Sequence, residues 1–130
     1  HGFRYVQITG WPGLVNEDDI TMNHFFTSLK RSGTFNTSSK TMNAIQRNVW
    51  SGQESNAMSV LTDCDQRDER LGWMGDAGLS SDSYSLNFDM SAFFPNMLRN
   101  IEIEQTEDGA IPDIVPWVRG GGRPGDPSWR

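Results

Sequence analysis

One cysteine, Cys64, is all the chain holds, so no disulfide can close within it and the sequence is not a disulfide-stapled scaffold. Apolar residues make up 35% of 130 residues, and adding the 13 glycines only just reaches the lower edge of the about 45–50% usual for globular domains on a count that includes glycine. A small domain standing alone needs a richer core, because small chains bury only a modest share of their surface. A segment of a larger protein is under no such demand. No apolar run approaches the roughly 18–20 residues that cross a bilayer, and no signal-peptide pattern opens the chain, so no membrane partner is expected. Basic residues are outnumbered, 11 against 17 acidic, for a net charge of −6. That argues against a nucleic-acid partner, which requires a basic face. His1 and His24 have no Cys or His neighbour at zinc spacing. His1-Gly2-Phe3 lacks an initiator methionine, so a processed or cut start is expected.

What is present reads as strand, loop, helix, charged loop, helix and irregular tail. Phe3-Arg4-Tyr5-Val6-Gln7-Ile8-Thr9 alternates apolar and polar residues and predicts a half-buried strand, closed by Gly10-Trp11-Pro12-Gly13. Another short strand is possible within Ile20 to Leu29. Ser38 or Ser39 can cap a helix whose stripe is Met42, Ile45, Val49 and Trp50, at spacings near three and four. A second helix is expected from Asp76 or Ser80 to about Gln105, with Pro95 kinking or dividing it. Pro112, Pro116, the run Gly120-Gly121-Gly122, Pro124 and Pro127 then predict an irregular segment. Two helices bury one face each, so the pattern suits one hairpin of a larger helical assembly.

Residues 62–76, TDCDQRDERLGWMGD, are the densest feature: five acidic residues and two arginines in fifteen positions. A solvated run laced with salt bridges is the plain reading of such a stretch. The acidic set Asp63, Asp65, Asp68, Glu69 and Asp76, with Arg67 and Arg70 between and Trp73 behind, also suits glycoside hydrolysis. That chemistry needs a carboxylic acid to protonate the leaving oxygen and a second carboxylate to activate water or attack the sugar. Other carboxylates and arginines hold sugar hydroxyls, and a Trp face packs against a pyranose. Asp63-x-Asp65 begins like a calcium loop, but Asp68 stands at its glycine and Met74 at its glutamate. Cys64 has no His base nearby and reads as a small packing residue. The triple glycine lacks the Lys-Ser/Thr ending of a phosphate loop. Trp117 and Trp129 suit sugar contact and packing equally.

Thr62-Asp63-Cys64-x-Gln66-Arg67-Asp68-Glu69-Arg70-Leu71-Gly72-Trp73-x-Gly75-Asp76 resembles the signature of the inverting α-L-rhamnosidases, glycoside hydrolase family seventy-eight. Phe3-Arg4-Tyr5-Val6 with Thr9-Gly10 is similar to that family's last β-sandwich strand. Gly33-Thr34-Phe35 and Asn43-x-Ile45 resemble the entry to its first barrel helix. Asp108-Gly109-Ala110-Ile111-Pro112-Asp113 and Asp126-Pro127-Ser128-Trp129 resemble segments further on, so the likeness covers essentially the whole chain.

The resemblance implies a mainly α fold: part of an (α/α)6 barrel, its first hairpins in residues 37–130, preceded in residues 1–36 by a β-strand and linker from a β-sandwich. It implies Glu69 as general acid, with Asp63 and Asp76 binding rhamnose hydroxyls and Arg67 and Trp73 lining the same pocket. No metal or organic cofactor is implied. The implied partners are a rhamnose-containing glycoside or polysaccharide and the remainder of the catalytic domain. The sequon Asn36-Thr37-Ser38 and the substrate class favour a secreted or extracellular setting. Two departures stand out. Asp65 replaces the commoner proline, and the family's catalytic base is a glutamate far downstream of Arg130, not Glu102, Glu104 or Glu107. A non-catalytic carbohydrate-binding or structural piece that keeps the acid loop is the alternative.

Overall fold

A computed structural model describes residues 3–129. His1, Gly2, Arg130 and the side chain of Trp129 lie outside the described residues, and with them the expectations for the chain start, the His1 site and the Trp129 contact. Three helices carry the fold: α1 (Lys40–Asn56), α2 (Met74–Asn87) and α3 (Phe93–Glu104), with short 3-10 turns at Glu17–Asp19 and Pro127–Trp129. Ser39 caps α1 as expected, its hydroxyl accepting the Met42 N–H at 3.3 Å.

The single long second helix is corrected to two. The break falls at residues 88–92, not at Pro95, which sits in the first turn of α3. The missing N–H of proline costs nothing there, because the first four helical donors have no intrahelical acceptor. What ends α2 is pairing with an earlier segment. Ser32 N–H donates to the Asn87 carbonyl at 3.1 Å, and Asp89 N–H donates to that of Lys30 at 2.7 Å. The Asp89 carboxylate then accepts the Ser91 N–H at 3.0 Å, turning the chain into α3. A strand is also corrected: among the described residues Phe3–Thr9 forms none, and it lies exposed without a ladder partner. A strand stands only where another backbone takes its N–H and C=O groups. The proposed strand within residues 20–29 is likewise absent.

The core gathers Ala57, Leu61, Met74, Ala77, Tyr84, Phe88, Met90, Phe93 and Val115, with Trp50, Met97 and Ile101 packed against it. The α1–α2 interface is polar and hydrogen-bonded around Gln53 and Asn87. Buried Gln53 donates to the Ser83 hydroxyl at 3.0 Å, accepts from the Asn87 amide at 2.8 Å, and takes the Tyr84 hydroxyl on its carbonyl at 2.9 Å. Gln46 and Trp50 both donate to Asn87 Oδ1, at 2.8 and 3.0 Å. Partners on α2 descend as those on α1 ascend, so the two helices run antiparallel. The predicted α1 stripe is only half used, since Val49 and Trp50 are partly buried while Met42 and Ile45 face outward.

The tail is stitched to the charged loop by backbone. Met74 N–H donates to the Asp113 carbonyl and Val115 N–H to that of Gly72, each at 2.9 Å, around an antiparallel bridge between Trp73 and Ile114. The Asp113 carboxylate in turn accepts the N–H of Gly122 at 2.9 Å and of Asp126 at 2.7 Å, which folds the glycine-rich turn back. Gly72 is required by this approach: a Cβ there would overlap the Val115 carbonyl oxygen.

Two outcomes follow. Gly72→Ala forces the two backbones apart and should cost about 1–3 kcal/mol in urea denaturation, in the range of other overpacking substitutions. Hydrogen exchange should quicken at the Met74 and Val115 amides. Tyr84→Phe loses the bond to Gln53 and should cost roughly 0.5–1.5 kcal/mol. Burial pushes the Tyr84 phenol up to about 12, while an unfolded tyrosine titrates near 10. Stability is therefore level below that lower value and falls as pH rises through the window, because the unfolded chain gives up its proton first. In Tyr84→Phe that share of the alkaline loss should vanish.

Candidate active site

The charged stretch leaves α1 through Ala57 and returns at the start of α2. Its near end is tied where Thr62 N–H and hydroxyl both reach the Asn56 carbonyl, at 2.8 and 3.1 Å. Asp63 N–H donates to the Leu71 carbonyl at 2.9 Å and closes the loop on itself, and residues 65–68 form a turn. Cys64 and Arg70 flank that turn in the left-handed region, at φ 55° and 53°. A non-glycine residue holds that conformation only where its surroundings impose it. The stretch is thus an ordered loop with a fixed path, not a loosely solvated charge run.

Within it, side chains form two short chains of contact. Arg67 Nη2 donates to Cys64 Sγ at 3.1 Å, and the Cys64 thiol donates to Asp63 Oδ2 at 3.2 Å. Trp73 Nε1 donates to Glu69 Oε1. Ligand atoms of Asp63, Cys64 and Glu69 all lie within 4.8 Å of one another. Glu69 Oε2 is covered and has no hydrogen-bond partner. The Asp63 carboxylate, then Glu69, hold the Cys64 thiol above its ordinary value, outweighing the opposing pull of Arg67. Cys64 therefore keeps its proton and acts as a donor, a correction to its reading as a buried packing residue: it is only half-buried.

Asp63 and Asp76 share one cavity of about 460 Å³, with Gln53, Asn56, Ser80 and Tyr84 on its walls. Asp76 stands in the first turn of α2, exposed at the rim. Partial desolvation, then the Asp63 charge and more weakly that of Glu69, raise its carboxyl above the usual range, against a backbone hydrogen bond that lowers it. Arg67, Glu69 and Trp73 are not on the walls of that cavity. Asp65 faces a different hollow of about 330 Å³, together with His24, Ser55 and Arg70. Asp65 and Asp63 therefore do not converge as a calcium loop would require, and Met74 is buried in the core. Asp113 is the structural residue that the sequence reading passed over. Its signal was an aspartate set nine positions before the last of three glycines.

A family model for the bacterial alpha-L-rhamnosidase six-hairpin glycosidase domain matches residues 30–130. An alpha-L-rhamnosidase of Streptomyces avermitilis is 36% identical over 118 residues, covering 91% of this chain and 12% of that protein. The structure of an alpha-L-rhamnosidase from Dictyoglumus thermophilum superposes with a TM-score of 0.87 at 42% identity, over 92% of this chain and 14% of that one. That of the Streptomyces avermitilis enzyme complexed with L-rhamnose superposes at 0.70 and 34% identity, over 74% of this chain and 10% of that one. The chain thus spans about an eighth of the length of these relatives. Its helices correspond to a small part of an (α/α)6 barrel. This chain belongs to the bacterial α-L-rhamnosidase six-hairpin glycosidase family.

Proposed function

We propose that this chain carries the general-acid loop of an inverting α-L-rhamnosidase of glycoside hydrolase family seventy-eight. The enzyme would remove terminal non-reducing α-L-rhamnose from glycosides or polysaccharides. What supports the reading is the family match across residues 30–130, which contains a closed loop whose Asp63 and Glu69 carboxylates lie within 4.8 Å of each other. Glu69 is the acid: it lies half-buried, with one oxygen held by an N–H and the other covered. Asp63 and Asp76, on one cavity wall, take rhamnose hydroxyls as acceptors, and Arg67 is placed at the exposed turn to meet the sugar or its aglycone.

Asp63 is not the base. Inversion needs carboxyl groups about 6.5–9.5 Å apart, with room for a water between, and Asp63 stands closer to Glu69 than that. Glu104 is engaged with Arg123 at 3.4 Å. The base therefore comes from elsewhere in the catalytic domain. In this reading residues 1–36 belong to a preceding β-sandwich and linker, residues 37–130 open the barrel, and the protein works outside the cell.

The test is hydrolysis of p-nitrophenyl α-L-rhamnoside by the full-length protein beside its Glu69→Gln variant. Loss of the acid should lower kcat by roughly 10²–10⁴-fold, and equal rates would remove Glu69 from the role. The 130-residue chain alone should show no turnover.

A further inference from the structure

Trp73 was expected on the sugar pocket, yet its indole N–H is spent on Glu69 Oε1, and its ring is not on the wall of the cavity that Asp63 and Asp76 share. The backbone that carries that indole is itself held. Residues 72–74 are clamped to 113–115 by two hydrogen bonds of 2.9 Å, and Trp73 is the N-cap of α2, immediately before its first turn. The donor is built into the fold and reaches only one oxygen of the acid. The other, Oε2, is covered and has no partner.

From this asymmetry we infer that Trp73 is a positioning residue for proton transfer. It fixes Glu69 so that Oε2 carries the proton and Oε1 receives the charge left behind. The inference rests on Glu69 being the acid. In the step itself the Oε2–H bond breaks and the proton passes to the glycosidic oxygen. The bond from that oxygen to the anomeric carbon breaks, its electron pair leaving with the aglycone. Water supplies the oxygen of the new bond and gives its proton to a base outside this chain. Glu69 ends as a carboxylate. A hydrogen bond to an ionised acceptor is about twice as strong as one between neutral groups. The Trp73 N–H thus binds the transition state, with charge developing on Glu69, more tightly than the ground state.

This role makes a prediction that sugar stacking does not. Leaving groups of low pKa depart without a proton, whereas simple alkoxides need one. The full-length protein, its Trp73→Phe variant and its Glu69→Gln variant are assayed on 2,4-dinitrophenyl and methyl α-L-rhamnosides. In Trp73→Phe, kcat on the methyl glycoside should fall roughly 10- to 100-fold, the range of one lost hydrogen bond to a charged group. On the dinitrophenyl substrate it should fall by less than about threefold, since no proton is needed there. KM should hold on both. Each ratio is taken on one preparation, so it does not depend on the folded fraction. If Trp73→Phe does not fold, benzothienylalanine at the same position keeps the indole shape without its N–H. An equal fall on both substrates, or a change confined to KM, overturns the inference. If Glu69→Gln itself shows no leaving-group dependence, the acid assignment fails instead.

Discussion

Two hydrogen bonds between residues 72–74 and 113–115 hold the site in place. They join the end of the charged loop to the irregular segment around residues 113–115, and they do so through backbone alone. Three consequences converge there. Gly72 has to lack a side chain, because the Val115 carbonyl occupies the space a Cβ would take. Trp73 lies between the two bonded residues, its main chain held, and its indole N–H donates to Glu69. Met74 then enters the core and starts α2, which fixes Asp76 in the first helical turn. Loosening that pairing would move a carboxylate, its donor and a second carboxylate together.

The second constraint is the polar seam between α1 and α2. A seam of Gln, Asn, Ser and Tyr contributes less through water exclusion than an apolar one, but each buried group left unpaired would cost about 1–3 kcal/mol. The penalty for slippage is thus larger than the gain from contact, and the seam sets register more than it sets stability. Apolar area is left for other purposes: Leu79 and Ile103 are 89% and 70% exposed, on the helices that line an open apolar groove with Met97, Leu98 and Ile101. Helices of a six-hairpin barrel pack on both neighbours, which accounts for so much outward apolar surface beside so modest a core.

How much of this could be read in advance depended on which groups carry the information. The cap at Ser39 and the helix after it were legible because capping and periodicity are side-chain properties. The place of a charged loop between two helices was legible too, from charges crowded where the apolar spacing stops. The division of α2 from α3 was not, because apolar residues continue through both helices and the break comes from pairing with residues 30–32. The tail was opaque for the same reason: backbone-to-backbone bonds leave almost no residue pattern, apart from Asp113 and the glycines it gathers. Phe3–Thr9 carries the alternation of a strand, but alternation states a preference for a face and supplies no partner. Which residues meet in the site was only partly legible. Their clustering came from spacing, while the pairing of Trp73 with Glu69 and the turning of Asp65 into another hollow came from the path of the chain.

The arrangement also restricts what can enter. Asp63 and Asp76 line one cavity, and partial desolvation, then the Asp63 charge, lifts the Asp76 carboxyl. An anionic ligand there would add to that repulsion, while a cation would have to compete with water for carboxylates that are not deeply buried. A neutral polyol meets neither difficulty. In the proposed function its hydroxyls donate to both carboxylates, relieve their repulsion by hydrogen bonding, and require no charge to be neutralised. Cys64 already does this on a small scale, as a neutral thiol that keeps its proton and gives its hydrogen to Asp63. A thiolate in its place would put one more negative charge beside Asp63 and Glu69. The same crowding that makes the loop acidic therefore favours internal neighbours that donate hydrogen without bringing charge, and in the proposed function a sugar meets the same condition.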